Sequence, residues 1–188
     1  MNLGSLNRRE EFGQWLNDNG LLGEGAEIGC AFGGNAETIL KTWKGQKLYF
    51  IDPWIAQPQG VYKEKTAGIN YEAWYENCVS ICKRDPRGVI IRKFSVDAAN
   101  DIPDDSLVFA YLDANHDYEH ASEDLDLWFP KVKMGGLLCG HDYYDSVQPI
   151  GTGYYNQVRS AVTDWLKKHP ELSVRHTDAC SSWWIEKK

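Results

Sequence analysis

The sequence predicts an α/β fold in which a doubly wound, mostly parallel sheet ends in an antiparallel C-terminal hairpin. Its 188 residues are enough for one domain of ordinary size. Short apolar segments alternate with segments of helical periodicity, which is the pattern of parallel strands joined by crossover helices. The last two apolar segments are joined by a connection too short for a crossover, so they must run antiparallel. We therefore expect residues 1–188 to form a single domain.

The N-terminal half alternates helices and strands in a regular order. Phe12, Trp15 and Leu16 recur at helical spacing, and Asn19-Gly20 marks the end of that helix. The elements predicted after it are a strand at residues 26–28, a helix at 35–44, a strand at 47–51, a helix at 71–82 and a strand at 89–94. Residues 53–68 form an irregular stretch, and a long loop in a compact domain is usually functional or mobile.

The C-terminal half continues this order and adds the hairpin. Ala121, Leu125 and Trp128 share one face of a helix, which Gly135-Gly136 is expected to break. The other elements predicted here are a strand at residues 107–112, a strand at 137–140, a helix at 158–166, and two final strands at 172–176 and 182–185. The last two strands would form the hairpin at the end of the sheet.

The charge and composition exclude several kinds of partner. The chain has 27 acidic and 20 basic residues and a net charge of −7, whereas proteins that bind nucleic acids or anionic membranes carry basic surfaces. No apolar run approaches the roughly 20 residues of a membrane span, and no signal peptide is visible. The five cysteines are an odd number without a C-x-x-C pair, which indicates free thiols. We expect a cytoplasmic protein with neither a nucleic-acid nor a membrane partner.

Glycine or polar residues follow every one of the five predicted parallel strands. In an open parallel sheet, ligands bind at the carboxyl ends of the strands, so this coincidence predicts a binding site there. The residues concerned are Gly29 to Gly34, Asp52, Ser95 and Asp97, Asp113 to Tyr118, and His141 to Tyr144.

The glycine loop and Asp52 each allow two interpretations. Gly29 and Gly33 lack the spacing of the dinucleotide fingerprint, and they could admit a ligand close to the backbone or simply form a tight strand-to-helix turn. Asp52 lies about 20 residues after Gly29 at the end of the second strand, a position that suits a ribose diol. Because Pro53 follows it, Asp52 could instead be a turn carboxylate.

Three segments of the chain resemble the class I S-adenosylmethionine-dependent methyltransferases, which have a Rossmann-like sheet. Glu27-Ile28-Gly29-Cys30-Ala31-Phe32-Gly33 resembles their first motif, Asp52 matches their acidic residue, and Phe94 to Ala99 resembles their adenine segment. The most specific resemblance is to a small subgroup that includes metal-dependent O-methyltransferases acting on sugars of natural products. It rests on residues 111–119, which include Asp113-Ala114-Asn115-His116-Asp117-Tyr118, on Asp124-Leu125 and Trp128, and on residues 135–143, which include Gly135-Gly136 and His141-Asp142-Tyr143.

The resemblance covers residues 22–186 and implies a set of roles. The cofactor would be S-adenosylmethionine, bound by Glu27, Gly29, Cys30, Phe32, Gly33, Asp52, Ser95, Val96, Asp97 and Asp113. Asp113 and Asp142 would be metal ligands for Mg²⁺ or another divalent metal, with Asp113 alternatively near the methionine amino group. Asn115 and His141 stand where metal-dependent relatives often have aspartates, and Mg²⁺ prefers carboxylate oxygens. The resemblance also implies a possible homodimer.

A hydroxyl acceptor needs help to lose its proton at neutral pH, from a metal ion or from a base. His116 is the first candidate base and His141 the second, and Asp117 could orient His116. His120, one helical turn further on, is a weaker third candidate. We expect a small-molecule acceptor framed by aromatic side chains, since their faces suit a sugar ring or a phenol. These are Trp54, Tyr62, Tyr71, Trp74 and Tyr75 after the second strand and Tyr143, Tyr144, Tyr154 and Tyr155 after the fifth. Trp74 and Tyr75 are more typical of ordinary helix core, whereas Tyr143 and Tyr144, beside Asp142, favour the site.

Two other function classes remain open from the sequence alone. An oxidoreductase with a nicotinamide cofactor would share the fold, although the G-x-G-x-x-G fingerprint is missing. A noncatalytic nucleotide-binding module would bind its ligand without turnover. A fold by itself does not decide between such functions.

Overall fold

The computed structural model describes residues 6, 8–56, 68–147, 155–177 and 181–188. Six helices and nine strands are assigned within these ranges. The helices are α1 (Phe12–Asp18), α2 (Gly34–Thr42), α3 (Tyr71–Arg84), α4 (Ser95–Ala98), α5 (Tyr118–Trp128) and α6 (Val158–Lys167). The strands are β1 (Glu24–Ile28), β2 (Lys47–Ile51), β3 (Gly88–Ile91), β4 (Leu107–Leu112), β5 (Val132–Gly140), β6 (Asp145–Val147), β7 (Tyr155–Gln157), β8 (Val174–Thr177) and β9 (Ser182–Glu186). Short 3-10 turns precede α1 and follow α4.

Seven strands form one sheet in the order β3-β2-β1-β4-β5-β9-β8. The first five strands are parallel, and β9 pairs antiparallel with both β5 and β8. The predicted doubly wound sheet with an antiparallel C-terminal hairpin is therefore confirmed. From the central strand β1 the chain extends first towards β3 and then, from β4 onwards, towards the other edge, and such a reversal of strand order opens a crevice at the carboxyl ends.

The register of the central strands aligns their ends. Ile28 of β1 lies opposite Ile51 of β2 and Leu112 of β4. Each is the last residue of its strand, so the residues that follow leave the sheet side by side. The first of these residues are Gly29, Asp52 and Asp113.

Two hydrophobic clusters cover the two faces of the sheet. One joins α1, α2 and α3 to side chains such as Phe50 and Phe109, and the other joins α4, α5 and α6 to side chains such as Leu138 and Trp183. Every residue of β4 is buried, as expected for a strand covered on both faces. Many of the aromatic side chains of the sequence are buried in these two clusters.

The structure differs from the sequence-based prediction at three places. Gly135-Gly136 does not break a helix, because α5 ends at Trp128 and both glycines lie inside β5. A Cβ at Gly136 would lie 2.9 Å from the carbonyl oxygen of Val108, so a glycine is needed where β5 passes β4. The third strand ends at Ile91 rather than Phe94, and the antiparallel pair β6–β7 was not predicted.

Some expectations fall outside the described residues. These concern most of the irregular stretch at 53–68, Tyr62, Tyr154, the side chain of Tyr155 and Cys180. The remaining four cysteines carry free thiols, as predicted. Among the helices that the structure describes, none is long and apolar enough to cross a membrane.

Candidate active site

A cavity of about 430 Å³ opens at the carboxyl ends of β1, β2 and β4. Its volume lies within the range of small-molecule sites, roughly 300–1,000 Å³. The polar part of its wall includes Asp52, Ser95, Asp113, Asn115 and Asp124. The predicted binding edge of the sheet is therefore a concave site with several convergent polar groups.

Gly29 and Gly33 both have conformations and contacts that require glycine, but the contacts differ. Gly29 lines the cavity with a φ of 89°, and a Cβ there would lie 2.3 Å from the carbonyl oxygen of Asp113. Gly33 has a φ of 87° at the start of α2, and its Cβ would lie 2.8 Å from the Sγ of Cys78. Gly33 thus serves the turn and the packing of α3, and it does not line the cavity.

Asp52 holds its turn and lines the cavity at the same time. Its Oδ2 accepts a hydrogen bond from the backbone N–H of Ala31 at 2.9 Å, and its Oδ1 accepts one from Trp54 at 2.7 Å. Burial raises the pKa of the Asp52 carboxyl, and these two hydrogen bonds oppose the rise. Each carboxylate oxygen has a second lone pair, so Asp52 can still accept hydrogen bonds from a ligand.

Ser95, Asp124 and Trp128 form a partly buried hydrogen-bonded chain, and Ser95 and Asp124 line the cavity. The Ser95 hydroxyl donates to Oδ1 of Asp124, and the indole Nε1 of Trp128 donates to the Ser95 hydroxyl at 2.8 Å. Burial raises the pKa of Asp124 to about 6. Asp124 belongs to the segments that carry the family resemblance, but no role was predicted for it. It stands on the apolar face of α5 with Ala121 and Leu125, and a carboxylate on such a face is a usable signal.

The residues around Ser95 divide between the cavity and the solvent. Phe94 and Val96 line the cavity with partly exposed apolar side chains. Asp97 is exposed and does not line the cavity, so the structure does not place it beside the predicted adenine position.

Glu27, Cys30 and Phe32 do not reach the cavity wall either. Glu27 is buried and its Oε1 accepts a hydrogen bond from Asn35 Nδ2 at 2.8 Å, which ties the glycine loop to α2. The Cys30 thiol is buried and donates to the Glu27 carbonyl at 3.3 Å, while Phe32 faces solvent. Burial raises the pKa of Glu27 to about 8, against the opposing charge of Arg9. These three residues shape the loop rather than contact a ligand in the cavity.

The aromatic side chains predicted to frame an acceptor are only partly at the site. Tyr71 and Trp74 line the cavity, whereas Tyr75 packs edge-on against Trp54, which is 1% exposed and belongs to the core. Tyr143 is also buried, stacked on the ring of His176.

His116 lies between two carboxylates next to the cavity. Its Nε2 is 3.3 Å from Oδ1 of Asp113, and its Nδ1 is 3.4 Å from Oδ2 of Asp142. His141 Nδ1 lies 2.9 Å from Oδ1 of Asp142. Burial raises the pKa of Asp142, but the hydrogen bond from His141 and the nearby His116, His141 and Arg9 outweigh it, so the net pKa is lowered.

Asp117 does not orient His116 as predicted. It begins helix α5, where its carboxylate accepts a hydrogen bond from the His120 backbone at 3.0 Å and contacts the His120 ring at 2.8 Å. Asp113 and Asp142 therefore take the flanking positions that Asp117 was expected to hold.

Arg9 is the residue of this cluster that the sequence patterns did not indicate. Its guanidinium donates a hydrogen bond to Oδ2 of Asp113 and lies 3.7 Å from Oε1 of Glu27. The guanidinium carbon is 5.3 Å from the centroid of the Tyr111 ring. Nothing in the local sequence links the turn before α1 to the end of β4.

A divalent metal ion could be held only by displacing these contacts. Asp113, His141 and Asp142 each offer a ligand atom, and these atoms lie within 4.8 Å of one another. However, Oδ2 of Asp113 is bonded to Arg9 and its Oδ1 faces His116. With a fixed guanidinium on one of the three donors, the arrangement does not fit a divalent cation.

Comparisons with known proteins agree with this fold. A family model described as "Methyltransferase domain" matches residues 26–143. Solved structures with the same fold include a putative caffeoyl-CoA O-methyltransferase from Staphylococcus aureus, with a TM-score of 0.67, 13% identity and coverage of 97% of this chain and 84% of that one. No curated protein matches the sequence.

Two further solved structures of this fold are complexes with a ligand. The O-methyltransferase from Bacillus cereus in complex with SAH has a TM-score of 0.63 and 13% identity over 97% of this chain and 80% of that one. The O-methyltransferase TomG from Streptomyces achromogenes, in complex with SAM, has a TM-score of 0.63 and 11% identity over the same shares. At such low identities these likenesses establish the fold alone.

Proposed function

The chain belongs to the methyltransferase domain family, and from that premise we propose that it transfers a methyl group from S-adenosylmethionine to a hydroxyl group of a small-molecule acceptor. One observation carries the proposal: the cavity joins Asp52, at the end of β2, to Asp113, which contacts His116. A carboxylate suited to a ribose thus lines the cavity, and a base suited to an acceptor lies next to it in contact with Asp113.

The residues of the cavity fit the parts of S-adenosylmethionine. Asp52 holds the ribose hydroxyls with the lone pairs that its turn leaves free. Gly29 lets the methionine part approach the backbone, where a Cβ would already meet the carbonyl of Asp113. Phe94 and Val96 offer apolar surface to the adenine ring, and Asp124 offers an acceptor to its amino group.

When bound, S-adenosylmethionine supplies a sulfonium methyl group, which passes to the acceptor oxygen while the sulfur keeps the electron pair of the broken bond. His116 takes the proton of the acceptor hydroxyl at Nε2, the nitrogen that faces Asp113 of the cavity wall, while Nδ1 keeps its proton towards Asp142. Asp113 and Asp142 stabilise the resulting imidazolium, since their oxygens lie 3.3 and 3.4 Å from its two nitrogens. The backbone carbonyl of His116 accepts a hydrogen bond from Gln157 at 2.7 Å, which fixes the base relative to β7.

The acceptor enters where the cavity wall is aromatic. Tyr71 and Trp74 lie on α3 at 5.7 Å between ring centroids, and both line the cavity. Aromatic faces with polar edges suit a phenol or a sugar ring. We therefore propose catechols, phenolic acids and glycosides as the first acceptors to test.

The test is transfer of a labelled methyl group from S-adenosylmethionine to members of that panel, with S-adenosylhomocysteine as the second product. We expect His116→Gln to bind S-adenosylmethionine like the wild type and to lose roughly 100- to 10,000-fold in turnover. His169→Gln is the matched control, because His169 stacks on Trp165 at the end of α6. Wild-type turnover in His116→Gln would contradict the assignment of the base.

A further inference from the structure

We propose that Arg9 is the resident cation of the Asp113 cluster and excludes a divalent metal ion from it. The inference goes beyond the proposed function, whose steps involve no metal ion. It rests on the contacts of Arg9, on the number of donors that these contacts leave, and on how the Arg9 side chain is held.

The contacts place a permanent positive charge where a metal ion would sit. The Arg9 guanidinium bonds Oδ2 of Asp113, one of the three groups whose ligand atoms converge. Arginine stays protonated at any pH at which proteins fold. A divalent ion bound to Asp113 would therefore lie beside a fixed positive charge, and the repulsion between the two opposes binding.

The remaining donors are too few for a metal ion. Apart from Asp113, whose two oxygens face Arg9 and His116, the converging group contains only His141 and Asp142, and these two are already in contact with each other at 2.9 Å. His116 faces the other oxygen of Asp142 at 3.4 Å. A closed metal site takes at least four ligands, and a catalytic zinc site takes three from the protein.

The buried carboxyl group of Glu27 is a second acidic neighbour of the Arg9 guanidinium. Glu27 is 1% exposed, its Oε1 is 3.7 Å from Arg9, and its Oε2 has no hydrogen-bond partner among the described residues. Removing the guanidinium would leave two buried or half-buried carboxyl groups, Glu27 and Asp113, near each other without a cation. Such groups bind a proton or a metal ion readily.

The Arg9 side chain is anchored rather than free to swing away. Its turn leads directly into α1, whose first residue Phe12 is buried against Phe109 and Tyr111 at centroid distances of 5.4 and 5.2 Å. The guanidinium itself lies over the Tyr111 ring, and the Arg9 side chain is 26% exposed. A metal ion would have to displace an ordered group from its aromatic support.

The experiment titrates chelator-treated, full-length protein with Mg²⁺, Mn²⁺ and Zn²⁺ by calorimetry. We expect no stoichiometric binding to the wild type. Arg9→Met keeps an apolar stem without the charge, and we expect it to bind one Mn²⁺ or Zn²⁺ with an affinity roughly 10- to 100-fold above that of the wild type. Arg84→Met, which removes a surface arginine paired with Glu37, is the matched control and should behave like the wild type.

Two further variants keep the test decisive. Adding Asp113→Asn to Arg9→Met should abolish the new binding, and Arg9→Gln, which can still donate a hydrogen bond to Asp113 without the charge, should gain metal binding even if Arg9→Met fails to fold. The proposal is overturned if the wild type binds one metal ion per chain and loses it in Asp113→Asn, or if the folded neutral variant of Arg9 gains no metal binding. Binding of S-adenosylmethionine in the presence of EDTA is measured separately, so failure of the cofactor assignment would be visible on its own.

Discussion

The guanidinium of Arg9 donates a hydrogen bond to Oδ2 of Asp113, although 104 residues separate the two in sequence. The contact connects the turn before α1 to the carboxyl end of β4, where His116 also meets Asp113. The positive charge of Arg9 thus balances the negative charge of Asp113. The acidic excess of the sequence is thus partly neutralised where it converges.

Asp52→Asn should weaken S-adenosylmethionine binding by a factor of roughly 10 to 100, since hydrogen bonds to charged groups contribute about 1.5–3 kcal/mol. An amide would also turn an NH₂ group towards a backbone N–H of Ala31 or Trp54. Calorimetric titration measures the change. Asp104→Asn, which alters only an exposed ion pair with Lys131, is the control. Equal affinity of Asp52→Asn and the wild type would exclude Asp52 from the ribose site.

Gly29→Ala should destabilise the protein far more than Gly20→Ala. Both glycines have a positive φ, but nothing lies within 4 Å of a Cβ at Gly20, whereas a Cβ at Gly29 would lie 2.3 Å from a backbone oxygen. We expect a loss in the free energy of unfolding of about 1 kcal/mol for Gly20→Ala and roughly 3 kcal/mol or more for Gly29→Ala. Urea denaturation of the two variants gives the comparison, and similar losses would show that the close approach to Asp113 is not enforced.

Asp124 should make stability depend on pH in a predictable direction. Its pKa is raised from 3.8 to about 6 in the folded protein, so the folded state holds the proton more tightly than the unfolded state. The resulting stabilisation is complete below about pH 4 and is lost as the pH rises through about 6. Its size is on the order of 3 kcal/mol.

Asp124→Asn removes this one titration and leaves the other carboxyl groups in place, including the neighbouring Glu123 and Asp117. The amide oxygen can still accept the hydrogen bond from Ser95. The difference in the free energy of unfolding between the wild type and Asp124→Asn should therefore change between pH 4 and 6 and be constant above about pH 7. A difference that does not vary with pH would show that Asp124 is not protonated in the folded state near pH 5.

Sequence patterns predicted the elements that depend on local periodicity. The strand at 107–112 and the final hairpin were placed correctly, because apolar runs and connection length decide them. Gly135-Gly136 was misassigned, since its role depends on how β5 passes Val108 rather than on its neighbours in sequence. The sequence predicted that Asp52 is either a ligand-binding carboxylate or a turn carboxylate. In the structure Asp52 both accepts the hydrogen bonds of a turn and lines the cavity.

The site was predictable only where function follows from position at a strand end. Gly29, Asp52, Ser95 and Asp113 line the cavity as expected. Cys30 and Phe32 stand in the right segment, but their side chains point into the core and into solvent, and a motif does not specify side-chain direction. Arg9 reaches the site through tertiary packing alone, so no spacing rule could indicate it.

Calorimetric titration of the protein with S-adenosylmethionine, S-adenosylhomocysteine and NAD decides whether the chain binds the proposed methyl donor. We predict that the first two each bind at one mole per mole of chain, with weaker binding in Asp52→Asn, and that NAD does not bind. Binding of NAD without binding of S-adenosylmethionine would contradict the proposed methyltransferase activity and favour an oxidoreductase.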